Sequence, residues 1–351
     1  MFRLGSALHG TRNVSTLMPI PASGNAPPHK HRAESLSSLE LRTADLYGRL
    51  WPRYGDELFC ESVNLFALRW LTNGEDPAFF RDKLCLDVGC GGGRYSFAIA
   101  RMGARAVVGV DLSEAGLDDA RKRSESLPSH NVRFMHASAL DLPFPDKEFD
   151  FVCCSGVLHH TPGVEKGLHE IYRVLKPGGS VYLLLYGCGG LFWPLNNLLR
   201  PLAALLGEQC LEKAIDHIGL PANKRRVLLD DTFTPILETY SKERVDHLLH
   251  SAGFSAWRRW NAAQMDHESD AAVLIAEMEE RSHLWEAEAC HSDAGSTAIW
   301  LHCAQICRSV IATARELEQQ CHSGAITEEQ LRAALIGEGH HRLIAERGMD
   351  G

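Results

Sequence analysis

The run Leu84-Cys-Leu-Asp-Val-Gly-Cys-Gly-Gly-Gly-Arg94 constrains this chain more than any other feature, because an apolar strand breaks there into a glycine-rich turn. Glycines at 89, 91 and 93 let the backbone turn sharply and approach a ligand, since no Cβ intervenes and positive φ costs little. A lone glycine pattern says little, but here the context is complete. A helical pattern follows from Tyr95 to Met102, and a second apolar strand, Val107-Val-Gly-Val-Asp111, closes on an acid. A carboxylate at that place can accept hydrogen bonds from both ribose hydroxyls, so the arrangement reads as a site for a nucleoside-bearing cofactor. In a dinucleotide fingerprint the third glycine stands three residues beyond the second, where this chain has Arg94. That spacing disfavours a pyrophosphate.

Strand candidates alternate with helix candidates along the middle of the chain: Leu84 to Val88, Ala106 to Val110, Val132 to His136, Phe149 to Cys154 and Ser180 to Leu185. Such alternation builds a parallel sheet with helices on both faces, and ligands sit at the carboxyl ends of its strands. Glu170 to Leu175 reads as a helix end, stopped by Lys176-Pro-Gly-Gly179. Ser255 to Trp260 reads as a sixth strand, after a helix that opens on Ser241 and ends near Gly253.

The glycine turn resembles the first motif of the class I S-adenosylmethionine-dependent methyltransferases, and later stretches resemble further motifs in order: Phe134-Met-His-Ala-Ser-Ala-Leu-Asp-Leu-Pro-Phe-Pro-Asp146, Phe149-Asp-Phe-Val-Cys-Cys-Ser-Gly-Val-Leu-His-His-Thr161 and Glu170-Ile-Tyr-Arg-Val-Leu-Lys-Pro-Gly-Gly179. The resemblance spans residues 45 to 260. It implies a Rossmann-like, doubly wound, mostly parallel α/β sheet of seven strands and S-adenosyl-L-methionine as cofactor. Carried over motif by motif, Asp87, Gly89 and Gly91 would shape the methionine end, with Cys90 and Gly93 in the same turn. Asp111 and Leu112 would take the ribose and the adenine edge, Ala139 the adenine through its backbone, and Ser155 the sulfonium side. Ser138 belongs to the same set but departs from the pattern: family members usually carry an aspartate there to accept from the adenine amino group, and Asp141 lies further along. His159 and His160 follow the fourth strand, where the acceptor would enter. Either imidazole could take the acceptor's proton, with His159 preferred; alternatively one caps a helix or bonds the cofactor carboxylate.

The implied reaction is methyl transfer to a small-molecule acceptor, as in the quinone C-methyltransferases and natural-product N- and O-methyltransferases. A tRNA or protein methyltransferase and a non-catalytic cofactor-binding scaffold are the alternatives. The net charge of -9 argues against nucleic acid as partner, since such proteins usually present a basic field. The compact basic run Lys224-Arg225-Arg226 reads as a solvated helix turn or as a grip on an acidic substrate tail.

Outside the core, Tyr186 to Thr234 interrupts the pattern after the fifth strand, where related enzymes insert a lid; the expected insertion covers about 186–238. Glycines in Gly187-Cys-Gly-Gly190 suggest a hinge. Residues 36–262 are read as the catalytic domain and 263–351 as a helical appendage, which offers a surface for a homodimer. Ile299, Trp300, Cys303, Ile306, Cys307, Val310, Ile311, Ala314 and Leu317 keep helical spacing. Residues 341–347 resemble the closing strand of many methyltransferases, so the preferred reading returns the chain to the sheet there; the alternative makes Ala271 to Ala276 the last strand. Leu39 to Leu50 reads as a helix, and it and the segment of Trp51, Tyr54 and Phe59 either fold over the cofactor or pack on the sheet edge.

The 11 cysteines are scattered and odd in number, which fits reduced, mostly buried thiols rather than a disulfide framework. Cys303 and Cys307 beside His302 suit core packing better than a metal grip, and Cys60, Cys153, Cys154 and Cys210 match an arsenite-binding pattern poorly. His267, His283, His291 and His302 form no tight ligand motif, so no metal is expected. The longest greasy segment, Leu191 to Leu206, is interrupted by prolines, asparagines and an arginine and is short of a membrane span. Residues 1–35 read as a disordered leader. Their lack of acids before Glu34 matches a mitochondrial transit peptide as well, so the compartment is read as cytoplasm with the mitochondrial matrix as alternative.

Overall fold

The computed structural model describes residues 38–50, 55–126, 131–260 and 271–349. The expected leader, Trp51, Tyr54 and His267 fall outside these residues. Strands β1 (Leu84–Val88), β2 (Ala106–Asp111), β3 (Val132–His136), β4 (Phe149–Ser155), β5 (Leu175–Tyr186), β6 (Ala256–Arg259) and β7 (His340–Glu346) form one sheet in the order β3-β2-β1-β4-β5-β7-β6. The first five pair in parallel, as in Leu86↔Val108 and Cys153↔Tyr182, whereas β7 runs antiparallel to both neighbours, with Leu183↔Leu343 and Trp257↔Ala345. The expected doubly wound sheet is therefore present, and its last strand is the one at 340–346. Residues 271–276 belong to a helix instead of a strand.

The helices are α1 (Ser38–Leu50), α2 (Asp56–Thr72), α3 (Arg94–Arg101), α4 (Glu114–Ser126), α5 (Val164–Val174), α6 (Phe192–Leu206), α7 (Glu208–Ile218), α8 (Ala222–Phe233), α9 (Lys242–Ala252), α10 (Ala271–Ala289), α11 (Ala294–His322) and α12 (Glu328–Ile336). Alternation along the central strands assigns side chains to two buried faces. Leu86, Val108, Val152, Val181 and Leu183 pack with α5 and α9, while Cys85, Val107, Phe151 and Tyr182 pack with α2 and α3 around Phe66, Trp70 and Phe80. Ser241 caps α9 by accepting from the Arg244 amide at 3.2 Å, and Gly253 ends it in the left-handed region, as the sequence suggests.

The insertion and the appendage share one core. Leu195, Leu199, Ala203, Leu211 and Leu229 from α6–α8 pack with Met278, Trp285, Trp300, Cys303, Cys307 and Leu335 from α10–α12, and Leu46 and Leu50 of α1 join them. Cys303 and Cys307 are fully buried there; loss of hydration pushes their thiols up to about 12 and about 11. These helices form a cap over the carboxyl end of the sheet. Its two chain crossings lie back to back: a Cβ on Gly187 would stand 1.6 Å from the Gly339 carbonyl oxygen. The glycines after β5 thus permit a close backbone approach, further tied by the Glu338 amide donating to the Cys188 carbonyl and the Leu191 amide to that of Leu335. Among the described residues no helix is long and apolar enough to cross a membrane, and no group of His, Cys, Asp and Glu could hold a metal ion.

Candidate active site

β1 ends in the glycine turn, and the reason lies in its backbone. Gly89, Gly91 and Gly93 all have positive φ, and a Cβ on Gly89 would stand 2.3 Å from a methyl of Val157. The amides of Gly89 and Cys90 donate to the Val110 carbonyl. Asp111, at the end of β2, accepts from the Gly91 amide with one oxygen and from the Ser113 amide with the other, both at 2.8 Å. Burial pushes its carboxyl up, against these bonds. Asp87 is deeper: it is 1 % exposed, accepts from the Ser96 hydroxyl at 2.6 Å, and is pushed up to about 7 by desolvation.

A cavity of about 870 Å³ starts at this turn and continues under the cap. Gly89, Cys90, Asp111, Leu112, Ser138, Ala139 and Ser155 line it, as does His160. Asp87, Gly91, Gly93 and His159 do not; the first three shape the turn from behind. His159 is fully buried against Tyr186, ring centroids 3.9 Å apart, and neither ring nitrogen has a hydrogen-bond partner. Burial pushes it well below the ordinary histidine value, so it stays neutral.

Several lining residues carry no motif. Glu40, Thr43, Ala44 and Tyr47 of α1 enter the wall, so this helix covers the cavity. Glu40 accepts from the Ser138 hydroxyl at 3.3 Å and so brings a carboxylate to the place where the motif lacks one; Asp141 does not line the cavity. Tyr186, Phe192, Trp193 and His340 supply aromatic walls, and Asp230, Asp231 and Arg281 come from the cap. Of these wall-forming helices only α1, at Leu39 to Leu50, is legible in the sequence, and its pattern says nothing about which polar side chains meet. The basic run is neutralised: Lys224 pairs with Glu280 at 2.5 Å, Arg225 with Asp216, and Arg226 lies 3.8 Å from Asp230.

His160 ends the short 3-10 turn that follows β4, at residues Leu158–His160. Its Nδ1 lies 2.8 Å from the Ile236 carbonyl. A carbonyl only accepts, so Nδ1 carries the hydrogen and Nε2 presents its lone pair while the ring is neutral. Burial pushes this imidazole below its ordinary value too, opposed by the Asp230 carboxylate.

A family profile described as "Methyltransferase domain" matches residues 86–183. A 2-phytyl-1,4-naphtoquinone methyltransferase of Nostoc sp. is 31% identical over 55% of this chain and 87% of that protein. The chain belongs to the class I S-adenosylmethionine-dependent methyltransferases. A demethylmenaquinone methyltransferase of Listeria welshimeri is 41% identical over 27% of this methyltransferase and 42% of its own length. A ubiquinone biosynthesis O-methyltransferase of Pseudomonas putida is 36% identical over 38% of this chain and 56% of its own. The methyltransferase thus spans about two fifths of the length of the first curated relatives it matches. The matched 86–183 core holds the glycine turn, Asp111 and both histidines, while the cap lies outside it.

Proposed function

We propose that this methyltransferase transfers a methyl group from S-adenosylmethionine to a small aromatic or quinol acceptor, at a ring hydroxyl or at the carbon beside it. The observation that carries the reading is the continuous cavity, which joins the glycine turn and Asp111 to the bare Nε2 of His160 beneath an aromatic cap. A volume of about 870 Å³ leaves room for an acceptor beside a nucleoside cofactor. Three relatives named for quinones support the acceptor class.

The donor set fits the cofactor: an acid at the end of β2, glycines where the backbone must come close, and a further carboxylate at Glu40. Asp111 and Leu112 would hold the ribose and adenine edge, Ala139 and Glu40 the adenine, and Ser155 the sulfonium side. S-adenosylmethionine supplies an electrophilic methyl group when bound. The chain's own part is to aim the acceptor, exclude water and receive a proton, and positioning supplies most of the rate. Tyr186 and Trp193, stacked at 5.0 Å, offer a flat wall for a ring. Ile218, Leu220, Val227 and Val273 extend the cavity with apolar side chains suited to an alkyl substituent. His160 is the proton acceptor in this reading and His159 its packing support, which reverses the preference drawn from the sequence.

Calorimetric titration with S-adenosylmethionine and S-adenosylhomocysteine tests the cofactor half. Binding by the intact protein, weakened in Asp111→Ala, is expected; no binding refutes it. Release of S-adenosylhomocysteine with hydroxylated naphthoquinols then tests the acceptor half. His160→Gln should lower turnover at least about a hundredfold with cofactor affinity kept, and equal losses in both would remove the base assignment.

A further inference from the structure

Asp230 lies on α8, inside the cap, and is 4 % exposed. Its Oδ1 accepts from the Tyr47 hydroxyl at 2.5 Å and stands 4.0 Å from Nε2 of His160. Its Oδ2 lies 3.5 Å from the Tyr186 hydroxyl. Since Nδ1 of His160 is committed to Ile236, Nε2 and Oδ1 are both acceptors, and they face each other across a gap too wide for a direct hydrogen bond. Both residues line the cavity. Resting on the reading of His160 above, we infer that Asp230 is a positioning residue for methyl transfer: it stabilises the imidazolium formed when His160 takes the acceptor's proton, and it selects acceptors that bring a hydroxyl or amine hydrogen to this gap.

The charge balance is local. The acceptor's O–H or N–H bond breaks, its proton goes to Nε2, and its electron pair stays on the acceptor to form the new bond to the methyl carbon. The C–S bond breaks with its pair left on sulfur. One positive charge disappears from the sulfonium and one appears on His160, beside a carboxylate placed to receive it. Tyr47 keeps its proton throughout, because burial and the neighbouring Asp230 push its phenol well above the ordinary value. It therefore donates to Asp230, and this bond ties α1 to the cap at the reacting end. An anionic acceptor without such a hydrogen would meet two lone pairs and a negative charge.

The titratable and charged groups that face His160 are Tyr47 from α1, His159 beside it, Tyr186 from β5, Arg200 from α6, Asp230 from α8 and His340 from β7. Asp230 raises the imidazole, whereas Arg200 and His340 lower it. The test is a pH titration of the full-length protein with isotope-labelled histidine, followed by NMR, with the His160 signal assigned by its loss in His160→Gln. Asp230→Asn should move the His160 midpoint further down by about one pH unit or more, and Asp230→Glu should restore most of it. Tyr47→Phe should move it up, since the carboxylate loses a hydrogen bond. Loosening of the site would raise the midpoint in every variant, because burial is what depresses it. An unchanged or raised midpoint in Asp230→Asn overturns the inference. The titration needs no cofactor, so its outcome is separate from that of the calorimetry.

Discussion

Replacing Asp87 by asparagine should stabilise this protein at alkaline pH and leave it nearly unchanged in acid. Asp87 is 1 % exposed behind the glycine turn, with the Ser96 hydroxyl donating to it at 2.6 Å, and burial raises its carboxyl from 3.8 to about 7. A carboxyl raised on folding means that the native state holds the proton more tightly than the unfolded chain. Its contribution is complete below about pH 4 and is lost as pH rises through about 7. At 1.36 kcal/mol per unit, the shift amounts to about 4 kcal/mol at pH 8, of which about 1.5 kcal/mol is already lost at pH 5. Asparagine has the shape of the protonated carboxyl and no charge to desolvate. The assay is urea unfolding of both proteins at pH 5 and pH 8, so that every other titrating group cancels in the difference of differences. The variant should gain about 2–3 kcal/mol on the wild type between the two pH values. A constant difference would refute the reasoning, by showing that Asp87 ionises normally inside the fold and that the turn rests on a stable buried anion.

Other substitutions test the parts of the structure that the motifs do not cover. Gly187→Ala would drive a Cβ to 1.6 Å from the Gly339 carbonyl oxygen and should cost about 3 kcal/mol in chemical unfolding; an unchanged midpoint would deny the close crossing. Trp300→Ala empties the centre of the cap, where the side chain is fully buried against Trp285 at 5.2 Å, and should cost about 3–5 kcal/mol by the same measurement. Glu40→Gln should weaken S-adenosylmethionine about tenfold in calorimetry if Glu40 replaces the acid missing at Ser138; unaltered affinity would remove α1 from cofactor recognition.

The sheet and the glycine turn were legible because local rules govern them. Strand β1 is buried on both faces, the turn after it needs positive φ at Gly89, Gly91 and Gly93, and Asp111 closes β2. Each requirement leaves a residue type at a fixed interval. The expected β7 came instead from its resemblance to the closing strand of many methyltransferases; its apolar run Leu343-Ile-Ala345 is matched by Ala271 to Ala276, which the structure uses as the first turns of α10. Composition alone does not separate the two, because a short buried strand and a buried helix face look alike. His159 and His160 show the limit within a motif. Adjacent residues in a single helical turn point in different directions, and only packing against Tyr186 decides that the first is sealed in while the second reaches the cavity.

The cap explains why the far end of the cavity was not legible. Its core joins α6–α8 to α10–α12 across the intervening α9 and β6, so residues that meet there are far apart in the chain. Arg281 of α10 reaches Asp231 of α8 at 2.7 Å, both nearly buried, and its ring neighbour is Phe192 of α6 at 5.0 Å. No spacing rule connects positions 192, 231 and 281. Burying such a pair is costly unless both partners stay in place, so truncating either one leaves an uncompensated charge worth about 3–5 kcal/mol. Asp230 is the neighbour of that pair on α8, and it faces His160 only while the cap is docked. Asp230 is therefore brought to His160 by the same helix that the buried ion pair holds in place. In this doubly wound fold the glycine turn and Asp111 follow from local rules, whereas the far wall of the cavity is built only when two distant insertions pack as one body.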